Sequence, residues 1–379
     1  MHSFRWLKSV CLILALAPVF TLLSRADTSL VYFGTYTDTG SKGIYVSRLD
    51  TSTGKLTTPE LAAATTDPSY LALTPDHRFL FAANEVPKVA GYVTGFKLDA
   101  ETGKLDPLNQ EPSGGLSPCH LITDPRGKFL ITANYSSGNV EVVPIQTNGF
   151  LSAPVCVIQH HGSGINKARQ EGPHAHCVAM DAQGRVYVCD LGMDKVMIYH
   201  LDPNSGQLTT NETPWAEVKP GSGPRHIVFH QDGKFAYVVN EMGGTVTAFA
   251  YDASSGKLTE IQTASTLPDD FHGNNTSAEI AIHPSGKFLY ASNRGNDSIA
   301  VFAIDEATGL LTRVQIQPVA GKVPRGFAID PTGQFLVEAN QNSDNIVVYR
   351  INPEDGKLTA TGQTFAMGKP VCVMFVPAE

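Results

Sequence analysis

Apolar and polar residues alternate along most of this chain in short runs of about five to seven residues, the two-residue period of a half-buried β-strand. The runs come in pairs. Each pair opens near a proline, crosses a turn of the form Asp/Pro-x-Gly, and continues into a second apolar run. The copies read PSYLALTPDHRFLFAANE from Pro68, PCHLITDPRGKFLITANY from Pro118 and AHCVAMDAQGRVYVCDL from Ala175. Three more read PRHIVFHQDGKFAYVVNE from Pro224, SAEIAIHPSGKFLYASNR from Ser277 and PRGFAIDPTGQFLVEANQ from Pro324. Their spacing of about 46 to 57 residues is the length of one four-stranded propeller blade.

A second piece follows each copy: a short alternating strand, an Asp or Asn, then Gly-Lys-Leu-Thr or a variant. Asp99 to Leu105, Asp202 to Leu208, Asp252 to Leu258, Asp305 to Leu311 and Asn352 to Leu358 are examples. The glycine supplies the backbone freedom of a tight turn. Each unit is therefore four strands, A to D. The chain ends complete the count. Pro370 to Val376 reads as a lone A strand, and Leu30 to Tyr36, Gly43 to Leu49 and Lys55 onwards supply the other three. The pattern predicts an all-β fold, a seven-bladed β-propeller closed by a C-terminal strand that joins three N-terminal ones and hides the sheet edges. No linker divides 27–379, which reads as a single domain.

In such a ring the A strands line the central channel, and the start of A lies beside the end of B. The column at the start of A reads Ser69, Cys119, His176, Arg225, Ala278, Arg325 and Val371. The next column contains Tyr70, His120, Cys177, His226, Glu279 or its neighbour Ile280 depending on register, and Gly326. The end of B reads Tyr36, Glu85, Tyr135, Leu191, Glu241, Arg294 and Gln341. Charges facing one cavity are costly unless paired or put to use. Arg225, Arg294 and Arg325 could simply pair with Glu241 and Glu85 and tie blades together. Taken as a set, His176, Arg225, Glu241 and Arg294 are the candidate catalytic group, with His174, His226, Arg325 and Glu85 as candidate substrate-binding residues.

His174-x-His176 places two imidazoles on one face of a strand, but no third metal ligand has suitable spacing, so no metal is expected. His160 and His161 read as surface loop residues. Lys167, Arg169, Gln170 and Glu171 lie on a Gly-bounded insertion that either overhangs the mouth or is only a long loop.

Composition adds boundaries. Hydrophobic residues make up 42% and charged residues 17%, a globular balance. The net charge of −8 comes without any Lys/Arg block, so neither nucleic acid nor an anionic membrane is favoured as a partner. Arg5, Lys8, the apolar run Val10 to Leu23 and Ser24-Arg25-Ala26 read as a signal peptide cleaved after Ala26, hence export to a periplasmic or extracellular space. A membrane anchor is the alternative, although about 14 apolar residues are short for a bilayer span. Cys119, Cys156, Cys177, Cys189 and Cys372 remain. No CxxC occurs, and only Cys177 and Cys189, on facing strands, could form a disulfide. There is no G-x-S-x-G, P-loop, H-E-x-x-H or Rossmann glycine pattern, and no cofactor is expected. Oligomeric state is not legible.

Gln170-Glu171-Gly172-Pro173-His174-Ala175-His176, Gly223-Pro224-Arg225-His226, Asn240-Glu241, Ala291-Ser292-Asn293-Arg294 and Pro324-Arg325-Gly326-Phe327 together resemble the lactonase family of seven-bladed propellers. That family includes bacterial propeller-type 6-phosphogluconolactonase and fungal carboxy-cis,cis-muconate cyclase, and the resemblance spans essentially the whole chain after Ala26. In the cyclase branch the proposed active-site residues match His176, Arg225, Glu241 and Arg294, with His174 as an alternative to His176. The resemblance implies hydrolysis of a sugar lactone. A histidine near neutral pKa would activate water, Arg225 and Arg294 would stabilise the oxyanion or clamp a substrate anion, and Glu241 would orient a partner or act as the base. It equally admits a cycloisomerase of muconate-type acids, and fold alone admits a non-catalytic binding propeller. Export points away from an intracellular phosphosugar.

Overall fold

The computed structural model describes residues 28–86 and 89–376; the signal-peptide expectation falls outside them. Seven four-stranded antiparallel sheets are arranged as blades. Blade 1 is built from both ends of the chain: Pro370–Val376 is its inner strand, followed outward by Thr28–Thr35, Gly43–Asp50 and Glu60–Ala64. The closing register runs from Leu30↔Val376 to Thr35↔Pro370. The split blade expected from the repeat is therefore present. Its outermost strand begins at Glu60 and not at Lys55, because Leu56 makes only an isolated bridge to Leu49 across the turn.

The core lies between neighbouring blades. One recurring contact explains the Gly-Lys-Leu motif. Gly309 adopts φ +72°, and a Cβ there would overlap the Phe235 ring of the preceding blade, so the position needs glycine for both conformation and space. Tyr237, two residues after Phe235, donates its hydroxyl to the Gly309 carbonyl at 3.0 Å. The same tie joins Tyr32 to Gly103 (2.8 Å), Tyr187 to Gly256 (2.9 Å) and Tyr290 to Gly356 (2.7 Å). Each buried hydroxyl so bonded is worth about 1 kcal/mol, beyond the larger gain from burying its ring.

At the other end of six of the seven blades, strand B carries a buried amide or acid at or next to its last residue: Asn84, Asn134, Asp190, Asn240, Asn293 and Asn340. Several of these reach the outer edge of the preceding blade, as Asn134 does to the Ser113 carbonyl (2.6 Å) and Asn293 to the Thr266 carbonyl (2.8 Å). The residue that follows is thereby held at the channel mouth.

All seven inner strands begin with a β-bulge. In blade 5, Pro224 pairs with Asn240 and His226 with Val239, which leaves Arg225 unopposed. Ser69, Cys119, His176 and Arg325 are left over in the same way, as is Val371 in the closing blade. In blade 6 the irregularity lies between Ser277 and Ile280, which puts Ala278 at the bulge and Glu279 in the second column. A bulge adds a residue and re-aims its side chain. The variable first column of the sequence is thus the set of bulged residues.

Glu338, on Phe335–Asn340 of blade 7, is fully buried and accepts a hydrogen bond from Tyr349 at 3.3 Å. Burial raises its carboxyl to about 8. A raised folded-state pKa favours the fold below the ordinary glutamate value and loses that contribution as pH rises through about 8. Glu338→Gln is therefore expected to flatten the fall in Tm between pH 5 and pH 8.5 and to raise Tm at the alkaline end by about 2 °C, read by thermal melts across pH.

Candidate active site

The start of each inner strand and the end of its hairpin partner meet at one channel mouth, in two layers. Glu241 organises the outer layer. Its Oε1 accepts a hydrogen bond from Arg169 Nη2 at 2.6 Å, and its Oε2 faces Arg294 Nη2 at 2.8 Å. Arg225 Nε lies 3.2 Å from the same Oε2, an ion-pair distance at which its N–H is not aligned for a hydrogen bond. Burial alone would raise this carboxyl, but Arg294, Arg225 and Arg169 outweigh it and hold it at about 2. Glu241 is therefore an anion with both oxygens engaged, and proton abstraction, open to it on the sequence, is closed to it here. Burial lowers Arg294 to about 10, still a cation at neutral pH.

Across the mouth, Glu85 Oε2 accepts the Tyr36 hydroxyl at 2.8 Å and lies 3.6 Å from Arg325 Nη2, with the Arg325 guanidinium over the Tyr36 ring at 5.5 Å. Four guanidinium groups, from Arg169, Arg225, Arg294 and Arg325, thus meet two outer-layer carboxylates.

The two histidines of the His174-x-His176 pair are held differently. His174 Nδ1 donates to the Tyr135 carbonyl at 3.0 Å, its Nε2 lies 3.3 Å from Glu171, and its ring stacks on Tyr135 at 4.6 Å. His176 has no hydrogen-bond partner at its buried Nδ1, and its ring meets Tyr135 and His226 edge-on at 5.6 and 5.3 Å. Burial first, then Arg225, His226, Arg325 and Arg294, push His176 well below the usual histidine range. It is a neutral imidazole in a positive field.

The second layer contains Tyr70, His120, Cys177, His226 and Glu279. Tyr70 stacks on His120 at 4.0 Å, and His120 meets His226 edge-on at 5.0 Å. Cys177 Sγ lies 3.5 Å from His120 Nε2. Cys177 and Cys189 face each other in register, yet all five described cysteines are free thiols.

The insertion before His174 overhangs the mouth and supplies Arg169, which also donates to the Tyr135 hydroxyl at 3.1 Å. No repeat position corresponds to Arg169, so column alignment missed it. His160 corrects the surface expectation: it is buried, with Nδ1 2.6 Å from Asp190 and Nε2 3.0 Å from the Tyr199 hydroxyl. Asp190 also accepts the His174 N–H at 2.8 Å, so one carboxylate clamps both ends of the insertion. His161 is exposed. Among the described residues no group of three or more His, Cys, Asp or Glu side chains forms a metal-ligand set.

With this geometry in place, relatives are informative. A family model described as lactonase, seven-bladed β-propeller, matches residues 30–375. The chain belongs to that family. A Bacillus subtilis protein named 6-phosphogluconolactonase is 40% identical over 346 residues, covering 91% of this chain and 97% of its own length. A protein of the same name from Formosa agariphila is 36% identical over 305 residues, covering 79% of this chain and 85% of its own. The solved structure of the Pseudomonas aeruginosa periplasmic gluconolactonase matches with a TM-score of 0.88 at 34% identity, over 93% of this chain and all of that one.

Truncating Glu241 leaves three guanidinium groups without their carboxylate. Glu241→Ala is expected to cost about 3–5 kcal/mol of stability, the cost of an uncompensated buried charge. Arg169 is 39% exposed, and Arg169→Ala is expected to cost about 1 kcal/mol or less. Denaturant midpoints of the two variants measure the contrast.

Proposed function

We propose that this protein hydrolyses the ester bond of a sugar lactone, as a carboxylic-ester hydrolase of the 6-phosphogluconolactonase type. The observation that carries the reading is the excess of guanidinium groups around a neutral, unengaged imidazole, in a chain that is 40% identical to a protein named for that reaction. An anionic substituent on the lactone complements that excess. Its arrival also offsets the field that suppresses His176, so the imidazole gains basicity as the substrate binds.

In this mechanism His176 takes a proton from water as the water oxygen adds to the lactone carbonyl. Arg225 and Arg294 donate to the oxyanion that develops. The ring C–O bond then breaks, and the imidazolium returns its proton to the departing alkoxide. Glu241 fixes the arginines. Arg325, with Glu85 and Tyr36 behind it, receives the anionic substituent; His174 holds the insertion against Tyr135, and His226 lies beneath Arg225.

A pH-indicator assay on the mature protein, with 6-phosphogluconolactone and its unphosphorylated counterpart, tests the reading. Arg225→Ala is expected to lower kcat by about 10²–10³ and His176→Ala by about 10²–10⁴. Undiminished turnover in either folded variant would overturn the assignment, as would conversion of muconate-type acids with none of lactones.

Export is part of the proposal. It rests on the basic, apolar and small-residue order of the first 26 residues, in keeping with the Pseudomonas relative described as periplasmic. The secreted or periplasmic fraction should yield a mature chain beginning at Asp27 on N-terminal sequencing. Full-length chain in the membrane fraction would instead support an anchor.

A further inference from the structure

The mechanism gives no role to Glu279, a carboxylate in the second layer directly beneath the arginines. It sits on the inner strand of blade 6, Thr276–Ile282, and its side chain is 13% exposed. Its Oε1 lies 2.8 Å from His226 Nδ1 and accepts the Ile280 N–H at 3.0 Å. On the other side of the ring, His226 Nε2 lies 3.2 Å from Arg225 Nη1, which also donates to the Ala278 carbonyl at 2.7 Å.

A guanidinium can only donate. His226 Nε2 can hold Nη1 only as an acceptor, in the Nδ1–H tautomer, and Glu279 is the acceptor at Nδ1 that selects that tautomer. With Nη1 donating twice and Nε 3.2 Å from Glu241, Arg225 Nη2 makes no hydrogen bond to the protein among the described residues. We infer that Glu279 is a positioning residue for Arg225: by fixing the Nδ1–H tautomer of His226, it sets the guanidinium so that Nη2 is left for the substrate's developing oxyanion. The inference rests on the lactonase reading for its chemical purpose and on hydrogen-bond geometry for its existence.

Every inner strand places a group near this link. Arg225 and His226 come from blade 5, Tyr70 from blade 2, His120 from blade 3, Cys177 from blade 4, Arg325 from blade 7 and Cys372 from blade 1. Burial raises the Glu279 carboxyl to about 7, against the lowering by Arg225, His120 and Arg325. A protonated carboxyl is the weaker acceptor, since charge-assisted hydrogen bonds are roughly twice as strong as neutral ones. The hold on His226 should therefore loosen as pH falls through about 7.

Two measurements test this. The first is the tautomer of His226, read from long-range ¹H–¹⁵N correlations in histidine-labelled protein and assigned with His226→Gln. The expected state is Nδ1–H in the wild type, lost in Glu279→Ala. An Nε2–H tautomer in the wild type, or one unchanged in Glu279→Ala, overturns the inference whether or not lactones are turned over. The second is kinetic. Glu279→Ala should lower kcat by on the order of ten- to a hundredfold, the scale of a slight misplacement of a reacting group, with little change in KM. Glu279→Gln, which keeps an acceptor without a titrating charge, should recover part of that loss and show no acid limb near pH 7. A persistent limb in Glu279→Gln, or wild-type kcat in Glu279→Ala, sinks the inference. If Glu279→Ala does not fold, the tautomer and pH profile of Glu279→Gln decide. Absence of lactone turnover in the wild type would instead count against the proposed function.

Discussion

The pairing of Pro370–Val376 with Thr28–Thr35 sets the circumference of the ring, and the chemistry at the mouth depends on that circumference. Seven sheets that merely followed one another would have two open edges and no common axis. Closure removes the edges and brings seven inner strands to one channel. Arg225, Arg294 and Arg169 can share Glu241 only because blades 5 and 6 and the insertion before blade 4 are held at fixed angles around that axis. Turn glycines packed under the aromatic rings of the preceding blade transmit the constraint from blade to blade.

Within that ring, the bulge separates scaffold from site. The regular part of each inner strand must keep its alternation to pack between sheets, so it tolerates little variation. The extra residue at its start is released from pairing and can be chosen freely. The seven blades place Ser, Cys, His, Arg, Ala, Arg and Val there. Repetition of the strands and variation of one column are thus two consequences of the same local geometry.

This also explains how much was legible in the sequence. The blade count, the split blade and the convergence of Arg225, Glu241 and Arg294 followed from periodicity, because they occupy repeated positions. Arg169 did not, since an insertion has no counterpart in other blades to align with. His160 was misread for a related reason: a His-His pair in a loop carries no period, and its burial depends on Asp190 and Tyr199, which lie far along the chain. Glu279 was ambiguous because one extra residue in a strand exchanges the two faces, and only the pairing of Ser277 with Asn293 and Ile280 with Ala291 resolves which face it takes.

Glu241 and Glu279 show how the two layers divide the work. Both are glutamates buried on the same side of the channel, and both are connected to Arg225. Glu241 faces three guanidinium groups, and their field overcomes burial and holds it at about 2. Glu279 is linked to Arg225 by hydrogen bonds through the His226 ring, and burial outweighs the lowering by Arg225, His120 and Arg325, raising it to about 7. At neutral pH one carboxylate is a fixed charge, and the other lies close to titration. Environments that push like groups apart in this way assign them different tasks. Glu241 suits gathering cations that would otherwise repel one another. Glu279 suits control of a proton on His226, and through it the orientation of a single guanidinium.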